Sequence, residues 1–181
     1  MSNTAVITFG RFNPITVGHE KLVNTVKRYA LNNYCDPYVY LSHSCDKQKN
    51  PIPYHTKLRL AHQAFGDVVV ASESRNIVQI AQELQKDYDN LVLIVGKDRV
   101  SDFQTLLQKY NGIDYTYDII SVLSAGDRDP DSSDIEGMSA TKLRQYAINN
   151  DVKSFAFGLP IRLKSDASYI MDIVRKGLNY E

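Results

Sequence analysis

The sequence predicts an α/β protein built on a parallel sheet with helices on both faces. Three observations carry that reading. Five short β-rich runs recur along the chain, each followed sooner or later by a stretch of helical period. The runs are largely apolar rather than alternating, as strands covered on both faces are. The chain has 181 residues, 43% of them hydrophobic, enough for a real core, since a domain of this size buries roughly 70% of its unfolded surface.

Thr4–Phe9 (TAVITF) reads as the first strand. Gly18–Asn32 follows as a helix with Leu22, Val23, Val26, Tyr29 and Ala30 on one face. Pro37–Ser42 (PYVYLS) is the second strand, and Tyr54–Phe65, bearing Leu58, Ala61 and Phe65, the second helix. Asp67–Ala71 (DVVVA) makes the third strand and Ile77–Leu84 a helix after it. Leu91–Val95 (LVLIV) is the fourth strand, Ser101–Tyr110 a helix, and Asp118–Leu123 (DIISVL) the fifth strand.

The next stretch, Ser124–Gly137 (SAGDRDPDSSDIEG), is too rich in Asp, Gly and Ser to pack, and reads as a loop. Ser139–Asn149 opens on a capping residue and reads as a helix. Asp166–Lys176 is the last, with Tyr169, Ile170, Ile173 and Val174 expected to face inward. Right-handed crossovers turn this order into a Rossmann-like doubly wound, five-stranded parallel sheet with a C-terminal helical extension. One domain is expected over 1–181, with its core in 1–150 and the extension in 151–181.

Acidic and basic residues balance at 21 each, so no overall field recruits nucleic acid or a membrane, and phosphate binding must be local. Met1–Phe9 is too short and polar for a secretion signal, and no apolar run approaches the roughly 20 residues that span a bilayer. Cys35 and Cys45 make no disulfide framework. The expected setting is cytoplasmic. His43, Cys45, His55 and His62 fit none of the usual zinc spacings, so no protein-held metal is expected.

In doubly wound sheets ligands bind beyond the carboxyl ends of the strands. After the first strand comes Gly10-Arg11-Phe12-Asn13-Pro14-Ile15-Thr16-Val17-Gly18-His19. Gly10 permits a sharp turn and Pro14 stiffens the loop. Gly18 and His19 open the next helix, whose free N–H groups and dipole favour an anion, and the imidazole can donate to a phosphate oxygen. The second such place is Gly137-Met138-Ser139-Ala140-Thr141-Lys142-Leu143-Arg144, where a Ser cap is followed by two cations in the first turns of a helix.

GRFNPITVGH resembles the G-x-F-x-P-x-[H/T]-x-G-H motif of the nucleotidylyltransferase superfamily, and MSATKLR resembles its second motif, [I/L/M]-S-[S/A]-T-x-[I/L]-R. That resemblance implies nucleotide contacts from Gly10, Arg11, Phe12, Asn13, Gly18 and His19, with Thr16 and His19 at the reacting phosphates. It likewise implies that Ser139, Thr141 and Arg144 hold the β- and γ-phosphates. The commonest form of the motif carries a second histidine where this chain has Thr16. Threonine within FNPIT also occurs in some nicotinamide-mononucleotide adenylyltransferases.

Gly96 and Asp98, after the fourth strand, resemble the G-x-D that lines the nucleotide site in those enzymes. Family members often place a phosphate-contacting lysine after the second strand. Lys47 and Lys49 both qualify here, Lys49 as the catalytic candidate and Lys47 as an acceptor contact. Arg59 resembles a family arginine near the acceptor phosphate. Arg128, in the acidic stretch Asp127–Asp134, is placed to cover bound phosphates.

The activity implied is transfer of a nucleoside monophosphate from ATP or CTP to a phosphorylated acceptor, with pyrophosphate released. Mg²⁺ would bind mainly through the substrate phosphates. Nicotinamide mononucleotide leads as acceptor. The alternatives are CTP with a sugar or alcohol phosphate, ATP with phosphopantetheine, or a non-catalytic phosphate-binding or assembly protein on the same fold. SAGDRDPD, GMSATKLR and FGLP also resemble short nucleotidylyltransferase-like proteins of tailed bacteriophages, which implies the cytoplasm of an infected host. A homo-oligomer is compatible with this sequence.

Overall fold

The computed structural model describes residues 3–126 and 138–180. Among them are five strands: β1 (Thr4–Gly10), β2 (Asp36–Leu41), β3 (Val69–Val70), β4 (Asn90–Val95) and β5 (Ile119–Ser124). They form one all-parallel sheet in the order β3-β2-β1-β4-β5. β1 pairs with β4 from Thr4↔Asn90 to Ile7↔Leu93, and β4 with β5 from Asn90↔Ile119 to Val95↔Ser124. Chain order runs outward from β1 in one direction and from β4 in the other, so the winding reverses between them. This is the expected Rossmann-like fold.

The helices are α1 (Val17–Asn33), α2 (Tyr54–Phe65), α3 (Ile77–Leu84), α4 (Val100–Tyr110), α5 (Ala140–Ile148), α6 (Val152–Phe157) and α7 (Ala167–Gly177). Among the described residues no helix is long and apolar enough to cross a membrane. The chain divides into two compact units. The first joins Met1–Phe9, Leu22–Tyr40 and Val70–Arg128; the second joins Gly10–Lys21, Leu41–Val69 and Asp129–Glu181.

In the first unit the sheet buries both faces, which is why its central strands carry no polar alternation. Ala5, Ile7, Leu91, Leu93 and Val95 pack with Ile77, Ile80, Ala81 and Leu84 of α3 and Leu107 of α4. The intervening residues Val6, Val92 and Ile94 point the other way, onto Val26 and Ala30 of α1. Tyrosines border the first cluster with their hydroxyls satisfied. Tyr117 donates to the Ala81 carbonyl and Tyr115 to the Leu107 carbonyl, both at 2.6 Å, and Tyr40 donates to Glu83 at 2.9 Å.

In the second unit α5, α6 and α7 pack together, burying Leu143, Ala147, Phe155, Ile170, Met171 and Val174. Arg175 of α7 donates to the carbonyls of Ala147 and Ile148 at 2.6 and 3.1 Å. A cation thus satisfies the open end of α5.

Three details differ from expectation. The third strand is two residues long, because Gly66, at φ 82°, ends α2 and a 3₁₀ turn takes up Gly66–Val68. Tyr169 is 51% exposed rather than inward, and its hydroxyl accepts a bond from Arg59 at 2.8 Å. The segment before the last helix also folds, as α6 and a 3₁₀ helix at Ile161–Asp166. Both pieces are six residues long, too short to show helical periodicity.

Candidate active site

The loop after β1 is held at nearly every residue. Gly10 carries no Cβ because one would meet the Phe12 ring at 3.1 Å. Phe12 adopts φ 50° and lies buried beneath His19, with ring centroids 4.5 Å apart. Asn13, also buried, makes a two-way clamp: its Nδ2 donates to the Ile52 carbonyl at 3.0 Å, and its Oδ1 accepts the Ile52 N–H at 2.9 Å. Arg11 is exposed.

Thr16 and His19 define the start of α1. Thr16 Oγ1 accepts the His19 N–H at 3.2 Å, and His19 Nδ1 accepts the Thr16 N–H at 3.0 Å. With Nδ1 accepting, a neutral ring carries its proton on Nε2, the side turned away from the cap. Thr16 is 1% exposed, and its hydroxyl caps the start of α1.

The first turn of α1 is also less open to an anion than its sequence suggests. Val17 N–H donates to the Gly158 carbonyl at 2.7 Å, and Glu20 N–H to the Thr16 carbonyl at 3.0 Å. Among the described residues those groups and the cap account for the first turn except for the N–H of Gly18.

The second motif opens α5 in the same manner. Ser139 is the N-cap, its Oγ accepting the Lys142 N–H at 3.2 Å. This leaves the N–H groups of Ala140 and Thr141 at the tip without partners among the described residues. Arg144 spans the two motifs, donating from Nη1 to the Asn13 carbonyl at 2.8 Å and from Nη2 to Thr141 Oγ1 at 3.1 Å. A Cβ built on Gly18 would lie 3.0 Å from the Met138 carbonyl oxygen and 3.3 Å from Thr16 Oγ1. The first turns of α1 and α5 therefore meet, and a side chain at position 18 would crowd the seam.

The cytidylyltransferase-like family model matches residues 7–146, more than half of the chain and both motifs. The chain belongs to the cytidylyltransferase-like family. No curated protein matches it. Its structure is similar to that of TmcAL from Thermotoga maritima, in a crystal form bound with alpha-thio ATP. The TM-score is 0.53 at 12% identity, covering 99% of this chain and 56% of that one. This chain thus spans little more than half the length of that neighbour, and the likeness shows a shared fold.

In this cytidylyltransferase-like chain the segment after β2 is a rigid turn. Asp46 Oδ1 accepts the N–H groups of Gln48, Lys49 and Asn50 at 2.9, 2.7 and 3.2 Å, and its Oδ2 accepts Asn50 Nδ2 at 2.7 Å. These bonds, led by that of the Asn50 side chain, hold its carboxyl well below the usual range. Lys47 and Lys49 are both exposed on this turn. His43 stacks on Tyr54 with centroids 3.8 Å apart. Among the described residues no group of three or more His, Cys, Asp or Glu is placed to hold a metal ion.

Arg59, on α2, donates to the Tyr169 hydroxyl with its guanidinium 5.7 Å from that ring centroid. Gly96 and Asp98 belong to the first unit. A Cβ on Gly96 would stand 3.0 Å from Asp98 Oδ1, so the glycine makes room for that carboxylate at the start of a 3₁₀ turn over Lys97–Arg99. Gly137, Arg128 and the Asp127–Asp134 stretch lie outside the described residues.

One residue of the site was missed in the sequence. Lys57 of α2 is fully buried, its Nζ donating to the Arg11 carbonyl at 2.6 Å, the Ser42 carbonyl at 2.7 Å and Ser42 Oγ at 3.4 Å. The signal was there: Lys57 shares a helical face with Leu60, Ala61 and Ala64, all buried. A lysine on an apolar face needs a reason.

The electrostatics agree with an anion site. Burial pulls the Arg144 guanidinium below its usual value; neighbouring Arg11 acts in the same direction, and Asp46 opposes both. Donors and cations converge on the tips of α1 and α5.

Proposed function

We propose that the chain is a nucleotidylyltransferase that moves a nucleoside monophosphate, AMP in the leading reading, from a nucleoside triphosphate to a phosphorylated acceptor. The observation that carries the reading is the seam between Gly18 and Met138. It sets the two helix tips side by side, with the N–H groups of Gly18, Ala140 and Thr141 unpartnered among the described residues and His19 and Arg144 beside them. Such a place suits a polyphosphate.

The chemistry needs no covalent enzyme intermediate. An acceptor phosphate oxygen attacks the α-phosphorus in line. The new P–O bond forms as the bond to the bridging α–β oxygen breaks, and pyrophosphate leaves with that electron pair. Catalysis is then positioning plus stabilisation of charge on the oxygens. Gly18, Ala140 and Thr141 donate backbone N–H groups, and His19 donates from Nε2. Arg144, Arg11 and a lysine of the 47–49 turn supply positive charge. Arg59 serves the acceptor phosphate.

Glu20 is a carboxylate in the first turn of α1, its Oε2 accepting the Ile161 N–H, and beside it the helix tips carry N–H donors and cations. The site fits Mg²⁺ as an ion carried in on substrate phosphates and waters, where it would neutralise the leaving group. The match of fold to a protein crystallised with alpha-thio ATP favours an adenine nucleotide. Nicotinamide mononucleotide is the leading acceptor, because FNPIT, the G-x-D and the closing arginine of MSATKLR resemble the enzymes that use it.

Pyrophosphate release tests the reading. The protein is incubated with Mg²⁺, ATP or CTP, and a panel of acceptors: nicotinamide mononucleotide, phosphopantetheine, and sugar and alcohol phosphates. Release with ATP and nicotinamide mononucleotide is the expected result. Release with another pair keeps the reaction and corrects the substrate. Silence with every pair overturns the catalytic reading in favour of phosphate binding alone.

A further inference from the structure

Lys57 is unusual for what surrounds it. Lysine is almost never fully buried unless paired, because removing an ammonium from water is costly. Here three N–H donors meet three oxygens, of Arg11, Ser42 and the Ser42 hydroxyl, and every one of those oxygens is formally neutral. Hydrogen bonding is satisfied and charge is not. A strut between two carbonyls needs donors; it does not need a cation.

The strut sits at a critical point. Ser42 N–H donates to the Gly10 carbonyl at 2.8 Å, so Lys57 ties together the ends of β1 and β2. Residues 11–13 are gripped from two sides, with Lys57 on carbonyl 11 and Arg144 on carbonyl 13. The peptide unit is planar and trans, so turning the Arg11 carbonyl toward Lys57 turns the Phe12 N–H the opposite way. That N–H has no partner among the described residues.

We propose that Lys57 is a positioning residue of the nucleotide site, a buried cation whose positive charge is balanced when a polyphosphate binds at the neighbouring loop and helix tips. The inference rests on the functional reading above. Lys57 fixes the backbone of the 10–13 loop, and its charge lowers the energy of the bound anion across that loop. Two ionisable neighbours act on it: Arg11, from the loop after β1, with like charge, and Cys45, from the turn after β2, with opposite effect. Burial is the largest influence and draws the ammonium down to about 8. Lys57 is therefore poised to respond to an arriving anion.

Linkage makes this testable in the unmodified protein. If anion and ammonium are coupled, binding must raise the Lys57 titration midpoint, and raising the pH must weaken binding by the same factor. The ¹⁵N resonance of the Lys57 ammonium, assigned by its loss in K57R, is titrated with and without saturating inorganic tripolyphosphate. Backbone amides of Gly18 and Thr141 report binding independently. The expected result is a rise of about one pH unit, equivalent to about tenfold in affinity.

Calorimetry gives a second measure. Wild-type affinity for tripolyphosphate should fall about tenfold more steeply than that of K57R between neutral pH and about pH 10, since arginine stays charged. A Lys57 midpoint unmoved by saturating ligand, or identical pH dependence in wild type and K57R, overturns the proposal and leaves Lys57 a strut. Tripolyphosphate that perturbs neither Gly18 nor Thr141 overturns the functional reading itself, and this inference with it.

Discussion

Thr16 and His19 cap each other, the threonine hydroxyl on the histidine N–H and the imidazole Nδ1 on the threonine N–H. This is the reciprocal arrangement of a capping box, with histidine where glutamate or glutamine usually stands. It makes one residue the orienter and the other the donor. T16V should therefore cost about 1 kcal/mol in stability for the lost cap. It should also lower kcat by about 10²-fold, since the ring loses its alignment. T16S should retain most of both. Thermal melts and steady-state rates on the pair check this, and full activity in T16V would mean the cap does not orient His19.

Gly18 is a steric prediction. A methyl group there would press on the Met138 carbonyl at 3.0 Å, a backbone atom rather than the free end of a side chain. G18A should part the two helix tips, keep a folded protein, and weaken nucleotide triphosphate binding by about tenfold or more. Isothermal titration against ATP measures the loss.

Asn13 anchors the loop through its side-chain bonds to Ile52. N13L strands the Ile52 N–H and carbonyl in a buried place, at a cost of about 2 kcal/mol or more. Chemical denaturation reads that figure directly. A neutral substitution would show that water replaces the clamp.

Stability should carry a pH mark from Lys57. Its ammonium titrates near about 8 when folded and at 10.5 ordinarily. Between those values the unfolded chain binds more protons than the folded one, so stability rises with pH through that window. Tyr115, raised by burial to about 12, acts oppositely: above its ordinary 10 the folded chain holds the proton and stability falls. Denaturation of wild type and K57M at neutral pH and about pH 9.5 isolates the first effect. Wild type should gain relative to K57M; equal change in both would contradict the buried-cation assignment.

Much of the fold was legible because the strands are apolar on both faces, and LVLIV admits little else. The motifs were legible because turn glycines, a cap residue and cations stand at fixed offsets. What stayed hidden depends on distant partners. That Thr16 caps His19 follows from a backbone bend whose angles no pattern specifies. That Val17 is satisfied by Gly158 requires a bond across 141 positions of chain (158 − 17). Tyr169 looked inward by period, yet lies on the rim of its helix face, where Arg59 takes its hydroxyl. Lys57 was visible as a misplaced charge, though two of its three partners are backbone carbonyls, which leave no trace in side-chain chemistry.

The most direct test of the whole account is pyrophosphate release by H19A beside wild type, with Mg²⁺, ATP and the best acceptor of the panel. The account predicts a fall in kcat on the order of 10²–10³-fold for loss of one preorganised donor, in a protein that still folds. Undiminished release by H19A would contradict it.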